Sequence, residues 1–232
     1  YVRFMVNHFK HRVAYFEIWN EEDIGSPNYG FGDDFVAFSR FVKAVIPVIK
    51  QEDPQAKIMF GNTSSLNQKF LRGCLDEGIG PLVDAIGWHP FYATDPGSKK
   101  YIEYPREVRD LKKYAADRGF HGRYMATEFL WSAAYPPGED APEAGYVASF
   151  QVTEIQKAKN AARCLVMHLG LGVMPFWVDT WADMTAQWDC GMFRNTFNSN
   201  PTRDLAPQPV YYVYRTLCTI MDRARPVDLG VR

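Results

Sequence analysis

Val13-Ala14-Tyr15-Phe16-Glu17-Ile18-Trp19-Asn20-Glu21-Glu22-Asp23 governs the reading of this chain. Its first half is β-branched and aromatic, the composition of a buried strand. Its second half turns acidic within four residues, as a strand does when it empties into a loop. The order Trp-Asn-Glu adds chemistry. Trp19 offers a flat apolar face, Asn20 can hydrogen-bond a substrate hydroxyl, and Glu21 can give or take a proton. A purely solvated loop would also be acidic, so the weight of Glu21 depends on what the other strands carry at the same end.

The composition narrows the classes open to the chain. At 232 residues it can bury one good core, and nothing in it marks a second domain. Hydrophobic content of 47% and charged content of 23% are those of an ordinary globular protein. The net charge is -1, without a basic stripe, which argues against a nucleic-acid partner. No apolar stretch approaches the roughly 20 residues of a membrane span. Cys74, Cys164, Cys190 and Cys218 show no metal-finger spacing; two of them lie in apolar helical patterns and read as small core residues, with disulfides left open. Six tryptophans suit either sugar stacking or a large core.

Taken in order, residues 1–10 carry a helical apolar stripe and deliver the chain to the strand at Val13. A Gly/Pro/Asn-rich loop, 24–34, is of the kind that shapes a binding site. Residues 35–51 read as a helix in which Pro47 predicts a kink or an early end. A strand at 56–62 follows, then a helix at 67–77 closed by Gly78 and Gly80. The next strand, 83–90, ends in His89-Pro90-Phe91-Tyr92. A helix over 105–118 starts at Pro105 and ends before Gly119. Arg123-Tyr124-Met125-Ala126-Thr127-Glu128-Phe129 is again a strand with a glutamate at its end. A long polar loop, 131–145, reads as a lid or wall. A helix over 152–169 leads to the strand Val173-Met174-Pro175-Phe176-Trp177-Val178-Asp179, and 210–224 is the closing helix.

Strict alternation of apolar strands with helices means parallel strands covered by helices. Five strands are read, whereas a closed (β/α)8 barrel needs eight strands and typically about 250 residues. Polar groups of catalytic type stand at the strand ends: Asn20 and Glu21, His89 and Tyr92, Glu128, and Asp179 with Trp177 and Trp181. A barrel gathers carboxyl strand ends at one mouth.

Phe16-Glu17-Ile18-Trp19-Asn20-Glu21 closely resembles the strand-four motif of glycoside hydrolase clan A, the retaining TIM-barrel glycosidases. His89-Pro90-Phe91-Tyr92 is similar to the clan's strand-six element, and Thr127-Glu128-Phe129 to its nucleophile motif. Gln208-Pro209-Val210-Tyr211-Tyr212-Val213-Tyr214 resembles the run opening the last helix in the β-xylosidase and α-L-iduronidase branch. The resemblance runs the length of the chain. It implies an α/β fold, a TIM (β/α)8 barrel present only as strands 4–8 with their helices. Residues 1–232 then form a single catalytic-type barrel domain, incomplete at its amino end by three strands and by an Arg of strand two.

The activity implied is retaining hydrolysis of a β-glycosidic bond in a polysaccharide or oligosaccharide. Glu128 is the implied nucleophile and Glu21 the acid/base. Asn20 would hold the sugar 2-hydroxyl, and Trp177 or Trp181 would form the platform beneath the ring. Trp19, His89, Tyr92 and Asp179 complete the implied substrate contacts. No cofactor is implied, and the partner is a carbohydrate. Retention needs the two carboxyls about 5 to 5.5 Å apart, close enough for one charge to keep the other protonated. The chain departs from the clan by placing Glu22, a like charge, where the clan usually has proline. If Glu21 faces the barrel interior, so does Glu17, which then reads as a buried structural carboxylate.

Two other readings fit the residues. Glu21, His89, Glu128 and Asp179 could together ligate a divalent metal. An inactive sugar-binding remnant is the other, since absent strands would leave open parallel edges. Localisation is not set by this sequence.

Overall fold

The computed structural model describes residues 1–25, 29–92, 94–131, 152–177, 190–193 and 206–227. The order is α1 (Val2–Phe9), β1 (Tyr15–Glu17), α2 (Phe35–Glu52), β2 (Lys57–Thr63) and α3 (Gln68–Asp76). There follow β3 (Ala85–Trp88), α4 (Lys99–Ala116), β4 (Arg123–Phe129), α5 (Glu154–Gly170), β5 (Val173–Trp177) and α6 (Pro209–Ile220), with one 3-10 turn at Gly80–Leu82. The strands form one sheet in sequential order, β1-β2-β3-β4-β5. The βα alternation read from the sequence is the fold.

The chain divides into two compact units, Tyr1–Pro90 with Tyr104–Thr127, and Phe91–Glu103 with Glu128–Arg232. In the first unit every strand pairing is parallel, with Glu17 opposite Met59, Met59 opposite Ala85 and Ala85 opposite Arg123. Side chains alternate across that sheet. One face gathers Met59, Ala85 and Met125 with Tyr15. Ile58, Phe60 and Ile86 are fully buried, as are Phe38 and Val42 of α2 and Leu71 and Cys74 of α3. The α2–α3 layer is held together by rings, Phe31 to Phe38 at 5.2 Å and Phe38 to Phe70 at 5.6 Å. Gly61 sits at φ +89 where the β2–β3 register shifts, and a side chain there would strike Leu71.

The second unit packs its core from aromatic rings. Phe91 stacks on Tyr101 at 4.7 Å, and Phe129 stacks on His168 at 5.7 Å. Lys157 of α5 is fully buried and donates to the Gly191 carbonyl and to Gln208 Oε1, fastening α5 to the start of α6.

Several expectations are corrected. The helix expected from Pro105 begins at Lys99, and Pro105 lies inside it. Ser98 accounts for the earlier start, accepting the Tyr101 amide on its hydroxyl while its carbonyl takes the Ile102 amide. Pro47 does not end α2, which runs on to Glu52. Glu17 is exposed rather than buried, so its carboxylate needs no buried partner. Cys74, Cys164 and Cys190 are buried and Cys218 is exposed. The 132–145 part of the expected lid, together with Asp179 and Trp181, lies outside the described residues.

Candidate active site

In the first unit the three strand ends bring together groups that lie far apart in sequence. Beyond β1 the chain turns sharply, and Glu21 adopts a left-handed backbone at φ +51, a conformation that strains a residue with a side chain. The turn is fixed from several sides. The Glu21 amide donates to the Asn62 carbonyl at 2.9 Å, the Ile24 amide to the Glu21 carbonyl at 3.0 Å, and the Phe31 amide to the Glu22 carbonyl at 2.7 Å. Gly30 permits this last approach, since a Cβ there would meet the Ile24 and Glu22 carbonyls at 2.5 and 2.8 Å.

The turn presents the Glu21 carboxyl to His89 at the end of β3. Glu21 Oε1 and His89 Nδ1 lie 3.1 Å apart, with the imidazole 1% exposed and the carboxyl side chain 17% exposed. Only one of the two needs to carry the proton for this hydrogen bond to form, and the His tautomer sets which. Asn62 is a site residue that the sequence reading passed over. It is fully buried at the end of β2, its carbonyl holds the Glu21 amide, and its side-chain Oδ1 accepts the Thr127 hydroxyl at 2.9 Å. Gly87 makes room for it, as a Cβ there would lie 2.1 Å from Asn62 Oδ1. A polar side chain closing an apolar strand was its one sequence signal.

Asp23 was likewise not singled out. Its carboxylate accepts from the Ser64 amide at 2.8 Å and the Asn67 side chain at 2.9 Å, tying the loop after β1 to the loop after β2. Trp19 is 38% exposed and its indole N–H donates to the Tyr29 carbonyl at 3.0 Å, with Phe31 and Phe41 edge-on to its ring. Asn20 is exposed, and its side-chain amide donates to the Tyr29 hydroxyl at 3.0 Å. Tyr29 thus orders both Trp19 and Asn20.

Glu22 has an unusual setting. It is fully buried, and neither carboxyl oxygen has a hydrogen-bond partner among the described residues. Burial pushes its carboxyl up to about 8, the nearby Asp23, Glu17 and Glu21 reinforce it, and the opposing pull of its own backbone amide, which makes no hydrogen bond of normal geometry to it, is outweighed.

In the second unit Tyr92 and Leu130 form an isolated parallel bridge beyond the regular strands. Tyr92 donates its hydroxyl to Glu128 Oε1 at 2.5 Å, a charge-assisted bond of the short kind when the carboxylate is ionised. Both side chains are half-buried. Trp177 at the end of β5 is 5% exposed. Its indole N–H donates to the Cys190 carbonyl at 3.0 Å, and Phe129 and Tyr214 meet its ring edge-on. Among the described residues no group of three or more His, Cys, Asp or Glu is placed to hold a metal ion. None of their helices is long and apolar enough to cross a membrane.

The architecture can be set beside solved structures. A family 39 glycoside hydrolase from Bacteroides cellulosilyticus WH2 superposes with a TM-score of 0.65 at 16% identity, over 96% of this chain and 44% of that one. A family 39 β-xylosidase from Caulobacter crescentus gives 0.58 at 19% identity, over 94% of this chain and 46% of that one. The xylanase Xyn10A of Cellvibrio japonicus, as a thermostable mutant, gives 0.57 at 13% identity, over 93% and 68%. The fold is that of TIM-barrel glycosidases. The chain spans less than half the length of the two family 39 structures. Its sequence matches no model of a protein family and no curated protein.

Proposed function

We propose that this chain is the catalytic portion of a retaining glycoside hydrolase acting on a β-linked oligosaccharide or polysaccharide of the xyloside type. In this reading β1 to β5 serve as barrel strands four to eight of a single domain. One observation carries the proposal. Two glutamates at strand ends each have a dedicated partner, Glu21 with the buried His89 and Glu128 with the Tyr92 hydroxyl. The glycosidase fold, and the presence of a β-xylosidase and a xylanase among the structures it resembles, support the substrate class.

The chemistry is a double displacement. The Glu128 carboxylate attacks the anomeric carbon, the glycosidic C–O bond breaks, and Glu21 gives its proton to the leaving oxygen. A glycosyl ester on Glu128 results. Glu21, now ionised, takes a proton from water while the water oxygen attacks the same carbon, and Glu128 is released. His89 holds the Glu21 carboxyl in place as it passes between its two states. Tyr92 steadies the nucleophile before attack and can move its hydrogen bond toward the ring as the ester forms. Asn20 holds the sugar 2-hydroxyl, where contacts strengthen in the transition state. The apolar face of the sugar falls to Trp177 or Trp181, with Trp19 and Asp179 lining the subsite.

The deciding experiment is intact mass after incubation with a panel of activated 2-fluoro-glycosides. The protein is expected to gain one glycosyl unit, and Glu128→Gln to gain none. No adduct with any sugar on folded protein would overturn the assignment. For the acid/base, Glu21→Gln is expected to lose about 10²- to 10⁴-fold in kcat/KM on substrates with poor leaving groups. It should lose far less on dinitrophenyl glycosides, whose leaving group needs no proton.

A further inference from the structure

Glu22 stands one residue beyond the proposed acid/base, and among the described residues no hydrogen bond rewards its burial. The carboxyl is enclosed within the first unit, with both oxygens unpartnered among the described residues. An ionised carboxylate in that setting would be costly, so the group stays neutral while its environment is closed. As a neutral acid it behaves as an apolar peg. It lies close enough to Cys74 of α3 for its charge to bear on that thiol, which donates to the Phe35 carbonyl of α2. The other titratable groups bearing on it are Asp23, Glu17 and Glu21, all acidic. No cation appears among them to receive a charge.

The peg is coupled to Glu21 through the backbone. Glu21 is held at φ +51, and a left-handed residue with a side chain persists only where its surroundings over-determine it. The Phe31 amide on the Glu22 carbonyl and the seating of the Glu22 side chain supply that constraint from the C-terminal side. Withdrawing the side chain toward water releases the turn that aims Glu21 at His89.

We propose that Glu22 is a positioning residue with a built-in off state: its protonated carboxyl pins the Glu21 turn against His89, and loss of that proton expels the side chain and uncouples Glu21 from His89. The consequence is an alkaline limit on function set by a residue that does not touch substrate. An apolar side chain would pin the turn at any pH. This inference rests on Glu21 as the acid/base only for its effect on rate; the positional switch stands apart from it.

The test is a carboxyl-carbon NMR titration of the full chain, glutamate-labelled, with the His89 ring followed in parallel, in the wild type, Glu22→Gln and Glu22→Leu. The wild type is expected to show one glutamate carboxyl with a midpoint near pH 8 and a His89 shift sharing that midpoint. Both variants should lose both signals. No glutamate titrating above neutrality, a signal that survives in the variants, or a His89 ring indifferent to that midpoint would each overturn the proposal. If neither variant folds, the wild-type comparison of Glu and His89 midpoints decides alone. In glycosyl transfer, Glu22→Leu should move the alkaline half-point of kcat/KM up by about one pH unit or more. An unmoved half-point overturns the link to rate. If the wild type transfers no glycosyl unit, the glycosidase reading fails, while the titration still judges the switch.

Discussion

Two buried titratable side chains give this protein opposite responses to pH. Glu22 has its carboxyl raised to about 8 by burial, from an ordinary value of 4.5. The folded state therefore holds that proton more tightly than the unfolded chain does. Its contribution to stability is greatest below the unfolded value and is lost as pH rises to about 8, by on the order of 4 kcal/mol. His168 is the reverse case. Burial lowers it to about 4, against a partial opposing effect of its hydrogen bond with the Cys164 carbonyl. The folded state keeps it neutral, so its contribution falls as pH drops from 6.5 toward 4. Urea unfolding at several pH values should show Glu22→Leu without the loss between pH 5 and 8, and His168→Phe without the loss below pH 6. A wild-type stability flat from pH 5 to 8 would refute the account of Glu22. Cys164 offers no such handle, its thiol being raised well above the usual range.

At the scale of elements, caps outweighed proline. The sequence placed Pro105 at a helix start because proline is favoured there, yet α4 begins at Lys99 on the Ser98 hydroxyl. A proline inside a helix forfeits one hydrogen bond, and packing of Tyr104, Val108 and Leu111 into the core outweighs that. Pro47 within α2 follows the same logic, with Val42 and Ile49 buried on either side of it. The Thr153–Gln156 capping box of α5 is complete, each side chain meeting the other's backbone amide. Thr153→Ala should cost about 1 kcal/mol in urea unfolding with an unchanged slope. Asn67→Ala should cost more than a cap alone, because Asn67 caps α3 and also donates to Asp23.

At the scale of the whole molecule, β1 ends the sheet, and beside it lies an apolar groove of about 310 Å³ lined by Met5, Phe9, Val13, Phe16 and Ile18 among others. Val13, in its lining, is 41% exposed. Apolar surface gathered in a concavity binds apolar dyes. An anilinonaphthalene dye is expected to fluoresce with the folded protein and to lose at least about half of that signal in Phe9→Asp. Equal signals from the two proteins would place the dye elsewhere.

The βα alternation, the five strands and the two strand-end glutamates were legible in the sequence, because strand burial writes itself as apolar runs and strand ends as abrupt polarity. His89 and Tyr92 were legible for the same reason. The tertiary structure alone supplied what depends on neighbours distant in sequence. Asn62 matters because three strand ends meet at it, and Glu17 is exposed although it stands within an apolar run. Tyr29 orders Trp19 and Asn20 from a loop without periodicity. Glu22 reads as a like charge beside Glu21, whereas enclosure with no hydrogen-bond partner among the described residues favours its neutral form. Local composition records which residues are apolar and in what period; whether a carboxyl meets water, a histidine or nothing is fixed only when remote segments close around it.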